Sequence, residues 1–477
     1  MKKMINTYFI EKLKENFPFS LTNDQQRAIT KIVEFIFKPS SEEIFLLKGY
    51  AGTGKSSLIG ALVKTMSQLQ QKTVLLAPTG RAAKVFSMYS GEPAFTIHKK
   101  IYRQKSMTDS GASFSLTQNL HQNTLFIVDE ASMISNASTD SSFFGTGRLL
   151  DDLVEYVYSS PNCKLLLLGD TAQLPPVKQD ISPAMDVYEL QSYGLNVSES
   201  TLTEIMRQSE ESGILYNATL LRNALSSGLT SNSPKLKLDN FTDVERISGN
   251  DLVEEISGCY SRDGFEETIV ISRSNKNVNI YNNGIRNSVL YREEEISNGD
   301  LLMVTKNNYF WLKEEEKVDF IANGEFVEVL RIRSQEEMYG LRFCDVVLHH
   351  KNYDIEFEAK ISLDALHSET SGTSYQQSNM LYGALTEEYA HIGSKRDRYK
   401  QIKDNPYFNA LQVKYGYAVT CHKAQGGEWK NVFIDLGYIN PKHLGDNFYR
   451  WLYTSITRST QMLYLVNLSD EFIAVSD

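Results

Sequence analysis

The octapeptide Gly49-Tyr50-Ala51-Gly52-Thr53-Gly54-Lys55-Ser56 has the pattern G-x-x-x-x-G-K-[ST], follows the apolar run EIFLLK and opens the helix-forming stretch SSLIGALVKTMSQL. Glycines at 49, 52 and 54 let backbone N–H groups close around phosphate oxygens at a helix N-terminus. Lys55 then reaches the terminal phosphates of a nucleoside triphosphate, and the Ser56 hydroxyl suits Mg²⁺. A second apolar run, Leu125-Phe126-Ile127-Val128, ends in Asp129-Glu130. Asp129 would hold the magnesium, directly or through water, and Glu130 would orient or deprotonate an attacking water. A third, Leu165 to Leu168, leads into Gly169-Asp170-Thr171-Ala172-Gln173. Gln173 has an amide that donates to a phosphate and accepts from water, as a sensor of the last phosphate must. Hydrolysis also needs a cation on the developing charge, for which Arg207 in LTEIMRQ and Arg458 in YTSITRS are candidates. Each of these arginines, taken alone, is equally well read as a surface ion-pair residue.

Chemistry of this kind needs buried strands whose ends meet. Short aliphatic runs recur, each followed by an amphipathic or glycine-led segment: EIFLLKG, KTVLLAP, TLFIVDE and CKLLLLGD before residue 171, then TIVIS, NVFID and MLYLV after residue 267. Strands that are apolar throughout and alternate with helices predict buried parallel sheets, hence an α/β protein with two such domains. The interval between residues 272 and 431 is too long for one crossover and carries alternating segments such as DLLMV and GEFVEVL, which predicts an inserted β-rich subdomain.

The 477 residues fit about three domains. Hydrophobic residues make up 41% and charged residues 23%, a soluble globular composition that excludes disordered and collagen-like classes. A net charge of −10 excludes a wholly basic nucleic-acid coat protein, yet residues 72–105 carry seven basic side chains against one acidic, and residues 391–430 eight against three. A basic track on an acidic protein is the expectation; solvated faces of uneven charge are the plainer alternative. Four cysteines with no C-x-x-C spacing indicate neither a zinc knuckle nor a disulfide framework, and no apolar stretch approaches membrane-spanning length. The expected location is cytoplasmic, with no membrane partner.

The order of the segments resembles superfamily 1 helicases of the 5′-to-3′ branch, the RecD-like, Dda-like and Pif1-like enzymes, over nearly the whole chain. LTNDQQRAI resembles the Q-motif, GYAGTGKSS motif I, APTGRAA motif Ia, TIH motif Ib, VDEAS motif II and GDTAQLPPV motif III. LTEIMRQ, YAVTCHKAQGGEW and LYTSITRS resemble motifs IV, V and VI. The resemblance implies ATP and Mg²⁺ as cofactors, Gln25 as the adenine reader, and Thr53 and Ser57 beside the phosphates. Arg207 and Arg458 become contacts to the last phosphate, with Gly427 and Glu428 near the ribose and phosphates. It further implies contacts to single-stranded DNA from Pro78, Thr79, Thr96 and His98 on the first motor domain and from Asn275, Thr420 and His422 on the second. Simple structural roles compete at each: a strand-end turn for Pro78, caps for the threonines, a helix start for Asn275, satisfied polar groups for the histidines.

The implied architecture is two RecA-like domains, 1A (1–98 and 123–200) and 2A (201–340 and 407–477), with a small 1B pin subdomain (99–122) and an SH3-like 2B insertion (341–406). Phe114 is the candidate wedge against a terminal base pair, or else packing for its own hairpin. The implied activity is ATP-dependent 5′-to-3′ translocation on single-stranded DNA and unwinding at single-strand/duplex junctions, in repair or recombination. A helicase for RNA or RNA:DNA hybrids remains open, as does a DNA-stimulated ATPase subunit of a repair complex. The stretch 350–405 departs from the minimal family pattern and fits either a strand clamp or a partner surface.

Overall fold

The computed structural model describes the chain except residues 1, 41, 105–113, 137–144, 178, 206–210, 313–319, 352, 369–371, 373, 438, 440–443 and 475–477. Its first sheet is built from β1 (Glu43–Gly49), β2 (Lys72–Ala77) and β3 (Ala94–Thr96). The small hairpin of β4 (Tyr102–Gln104) and β5 (Phe114–Leu116) interrupts it before β6 (Thr124–Val128), β7 (Lys164–Gly169) and β8 (Asn196–Leu202). The strand order is β3-β2-β6-β7-β1-β8, parallel throughout. Continuous apolar strands are what such a sheet requires, because helices cover both faces. Phe45, Leu47, Leu125, Ile127, Leu166 and Leu168 pack in one core with helices Asn23–Ile36 and Lys55–Gln68. Their neighbours Ile44, Leu46, Phe126, Val128, Leu165 and Leu167 face the opposite core with helix Leu149–Tyr158. The alternation is the period of two expected of a strand.

The second sheet, also parallel, orders β16 (Ala418–Thr420), β10 (Thr268–Ser272), β17 (Trp429–Asp435), β18 (Ser459–Val466) and β9 (Val244–Ile247) in that sequence. Between β10 and β16 the chain leaves to build a closed barrel of β11 (Leu301–Val304), β12 (Phe326–Met338), β13 (Leu341–His350), β14 (Ile355–Ser362) and β15 (Leu411–Tyr415). The barrel corrects the expected bounds 341–406. The segments read as leading into the insertion are two of its strands, and β15, expected in motor domain 2A, closes it against β11. Helices Tyr375–Glu388 and Lys395–Lys403 are packed onto its end.

The barrel is seated by one buried carboxylate. Asp300, just before β11, accepts from Arg286 Nε and Nη2 (3.0 and 2.9 Å), from Arg292 Nη1 (2.7 Å) and from the Tyr417 hydroxyl (3.0 Å). Arg286 also reaches the Tyr415 hydroxyl at 3.2 Å, so the strands entering and leaving the barrel are tied at one point. Among the described residues no helix is long and apolar enough to cross a membrane.

Candidate nucleotide cleft and nucleic-acid face

The nucleotide cleft forms where β1, β6 and β7 end side by side. Gly52 and Gly54 hold φ of +74° and +76°, which places the loop in a backbone region that side chains disfavour. Helix Lys55–Gln68 begins immediately after, with no side chain capping its first N–H groups, so these remain for an anion. Lys55 Nζ crosses the loop to the carbonyls of Gly49 (2.5 Å) and Tyr50 (3.0 Å). A Cβ on Gly49 would lie 2.7 Å from Lys55 Cγ, so the glycine is what admits the lysine. Ser56 is exposed in the first helical turn, with Ser57 half-buried beside it. Gln25 accepts from Thr22 N through Oε1 (2.9 Å) and donates through Nε2 to Thr53 O (3.0 Å). The side chain expected to read adenine is thus oriented by its own helix start and held on the phosphate loop.

Three carboxylates line the floor. Asp129 accepts from the Tyr89 hydroxyl (2.6 Å) and from Glu130 N (2.8 Å). Burial pushes the Glu130 carboxyl up to about 7, with Asp129 and Asp170 pushing the same way and Arg458 and Lys55 opposing. A carboxyl poised there serves as a base near neutral pH. Gln173 is buried with its Oε1 lacking any hydrogen-bond partner among the described residues, as a group awaiting a ligand or water would be. Ser56 and Asp129 supply hard oxygen donors, and no cluster of three metal-ligating side chains occurs among the described residues. That donor set fits magnesium carried in with a nucleotide and largely hydrated, and does not fit a caged ion.

The opposite wall comes from helix Asp446–Ile456 and the turn after it. Tyr453, fully buried, donates its hydroxyl proton to Asp170 Oδ2 (2.5 Å) and accepts from Ala51 N in the phosphate loop (3.0 Å). Leu174 N donates to Thr454 Oγ1 (2.9 Å), and Gln425 Nε2 donates to Leu174 O (2.7 Å). Arg458, also buried, donates to Thr454 O (3.0 Å), Gly427 O (3.1 Å) and Thr457 Oγ1 (3.2 Å). Its charge lies close enough to Glu130 to lower that carboxyl's pKa. Arg207 lies outside the described residues.

A second face is made by the strand ends farther along both sheets. β2 and β3 deliver Pro78, Thr79, Thr96 and His98; β10 and β16 deliver Asn275, Thr420 and His422. Gly426, at φ +70°, brings the second set onto the first, since a Cβ there would meet Thr79 Oγ1 at 3.2 Å and Ala82 Cβ at 3.1 Å. Thr79 caps helix Gly80–Ser90, and Thr96 is buried, accepting from Lys99 N (3.1 Å). Burial lowers the His98 imidazole to about 4, so it is neutral at pH 7. Asn275 and His422 are exposed.

Residues 20–248 match the family model for an AAA domain, and residues 415–466 match the UvrD-like helicase C-terminal domain. The ATP-dependent DNA helicase dda of Enterobacteria phage T4 is 24% identical, aligning over 94% of this chain and 99% of its own length. The RecBCD subunit RecD of Buchnera aphidicola subsp. Schizaphis graminum is 24% identical over 90% of this chain and 71% of its own. The ATP-dependent RecD2 DNA helicase of Deinococcus radiodurans is 24% identical over 89% of this chain, which spans 47% of that protein. Over most of its length the chain is thus similar to proteins of the RecD and Dda group. A solved Bacteroides Pif1 bound to single-stranded DNA aligns over 96% of this chain and 95% of its own at 16% identity, with a TM-score of 0.46.

In this chain Lys55, Asp129, Glu130, Gln173 and Arg458 converge on one cleft. Thr96 is a buried helix cap whose Oγ1 accepts from Lys99 N. Phe114 pairs with Gln104 at the turn-ward end of the described part of its hairpin, and its ring centroid lies 4.6 Å from that of Tyr309. Glu428 is exposed, and its carbonyl accepts from Arg81 (2.8 Å). Arg81, on the first domain, stacks at 3.8 Å on Trp429 of the second, and a Cβ on Gly427 would collide with both. Arg81, Tyr89, Gln425 and Tyr453 went unread in the sequence. The signal present for Tyr453 was its place immediately before Thr454-Ser455 inside motif VI.

Proposed function

We propose that this protein couples ATP hydrolysis to 5′-to-3′ movement along single-stranded DNA and separates the duplex ahead of it. The observation that carries the reading is the Tyr453 bridge. Its hydroxyl, on the Arg458 wall of the second motor domain, is shared between Asp170 and the phosphate-loop N–H of Ala51 on the first, while ends of the same two sheets supply a second face. Anything that alters the phosphate loop therefore alters how the two halves of that face sit. The polarity rests on the likeness to the RecD and Dda group.

The chain's own residues have separable tasks. The phosphate-loop N–H groups and Lys55 bind the triphosphate, Gln173 orients the attacking water, and Glu130 takes its proton. Arg458 stabilises charge developing in the transition state, once domain closure brings it to bear. Ser56 and Asp129 would hold Mg²⁺, which supplies charge neutralisation to the bound phosphates when present. Thr79, Thr420 and His422, with the neutral His98, suit backbone contact without reading sequence.

The test is steady-state ATPase with and without single-stranded DNA, run beside unwinding of duplexes carrying a 5′ or a 3′ tail, with Lys55→Ala as the hydrolysis-dead control. Strong stimulation with unwinding only from the 5′ tail is expected. Equal stimulation by RNA would move the substrate, and stimulation without unwinding would leave an ATPase subunit of a larger assembly.

A further inference from the structure

The helical cap on the barrel has no task in the reading above, and its surface chemistry is distinctive. Residues 391–410 carry five basic side chains against two acidic, on a chain whose residues 311–369 carry seven against fourteen. Arg396, Lys400 and Lys403 recur at helical spacing along Lys395–Lys403, so they lie on one face at intervals of about 6 and 4.5 Å. Among the described residues none of the three is in an ion pair. Lys403 Nζ lies over the rings of Tyr399 (5.5 Å) and Phe408 (5.6 Å), and Lys306 presses its like charge against it. Phe408 is followed by the Tyr382 ring at 6.4 Å, and Tyr382 and Tyr375, seven residues apart on helix Tyr375–Glu388, are 41% and 84% exposed.

This is no loose tail. Leu381, Leu385 and Ile402 are buried against Leu341 and Phe343 of β13, and a capping box at Ser374 fixes the start of the first helix. Asn409 donates to Lys403 O (2.6 Å) and its carbonyl accepts from Asn308 (2.8 Å) and Trp311 (2.9 Å). Tyr309 then meets Phe114 of the β4–β5 hairpin. A path of contacts thereby runs from the cap to that hairpin.

Positive charges interleaved with exposed aromatic rings are the chemistry of a single-stranded nucleic-acid surface, because bases stack on the rings while cations track the phosphates. A duplex offers the phosphates but keeps its bases stacked internally, and so leaves the tyrosines unused. We infer that Tyr375, Tyr382, Arg396, Lys400 and Lys403, with Lys306, form a second binding surface for single-stranded DNA. It takes the strand that the motor excludes. The inference rests on the helicase reading, which supplies an excluded strand.

The experiment compares binding of two duplexes by fluorescence anisotropy, one with a 5′ tail alone and one a fork with both tails, using the parent, Tyr382→Ala and Lys400→Gln. ATPase stimulated by a short oligothymidine is measured in each, and thermal melting confirms folding. The second tail is expected to tighten binding by the parent about tenfold, in line with one or more stacked bases. Tyr382→Ala should abolish most of that gain, and Lys400→Gln should lower the salt slope of fork binding by about 0.7. Oligothymidine-stimulated ATPase should be unchanged in both. No gain from the second tail in the parent, or a gain that survives both variants, overturns the second surface. A variant that weakens the 5′-tailed duplex equally places these residues on the tracked strand or the duplex and overturns it too. Failure of oligothymidine to stimulate the parent would instead remove the helicase reading itself.

Discussion

Tyr453→Phe removes a single oxygen from a fully buried ring and leaves its packing in place. Two hydrogen bonds vanish, the charge-assisted one to Asp170 at 2.5 Å and the neutral one from Ala51 N at 3.0 Å. Such bonds are worth roughly 1.5–3 and 0.5–1.5 kcal/mol. Both act across the domain interface, so their loss falls on the equilibrium between closed and open motor domains and leaves each domain's own stability nearly untouched. Because water enters the opened interface and solvates Asp170, the lower end applies, about 2 kcal/mol or roughly thirtyfold in that equilibrium. Chemistry requires the closed arrangement, so ATPase kcat at saturating single-stranded DNA should fall about tenfold or more. Binding of a fluorescent ATP analogue should change by less than about threefold, since Lys55 and the remaining loop N–H groups are intact. A variant within twofold of the parent in kcat refutes the bridge. A loss confined to nucleotide binding refutes it as well, by showing that Tyr453 merely shapes the phosphate loop.

The raised Glu130 carboxyl sets a pH dependence: as a base it works only deprotonated, so kcat should climb with pH through about 7 and then level. Arg458→Gln should slow hydrolysis and move that climb to higher pH, because the guanidinium is what pulls the carboxyl down; a pH–rate profile whose climb stays put contradicts the pairing. Asp300→Ala leaves Arg286 and Arg292 with their shared carboxylate gone and should cost about 3–5 kcal/mol, seen as earlier thermal unfolding of the second motor domain and barrel. A melting profile within about a degree of the parent's would remove Asp300 from its seating role.

What the sequence displays well is whatever is carried by a strand and the few residues after it. β1, β6 and β7 each carry four successive buried apolar residues and lead into the phosphate loop, Asp129-Glu130 and Asp170. Their side-by-side placement follows once a parallel sheet is inferred. The barrel's extent was harder to read, because its closure joins Leu302 to Tyr415, and no local pattern announces a partner more than a hundred residues away. Tyr453 and Arg81 were hidden for the same reason: Asp170, Ala51 and Trp429 meet them only through the docking of two domains. Thr96 shows the converse, since a threonine at a strand end looks alike whether it caps a helix or faces a ligand.

The strand order of the second sheet has a consequence for how the protein is made. All strands of the first motor domain are complete by Leu202, so that half can fold as soon as it clears the ribosome. Among the described residues β9 pairs only with β18, and β17 also waits for β18, yet β18 begins at Ser459. At roughly 5–20 residues per second, translation leaves β9 without its neighbour for on the order of ten seconds or more. The run TIVIS of β10 stays equally uncovered until β16 and β17 emerge. The nascent second domain is therefore the part of this chain most dependent on holding chaperones, and a sequence change that delays β18 should reduce yield without touching the catalytic cleft.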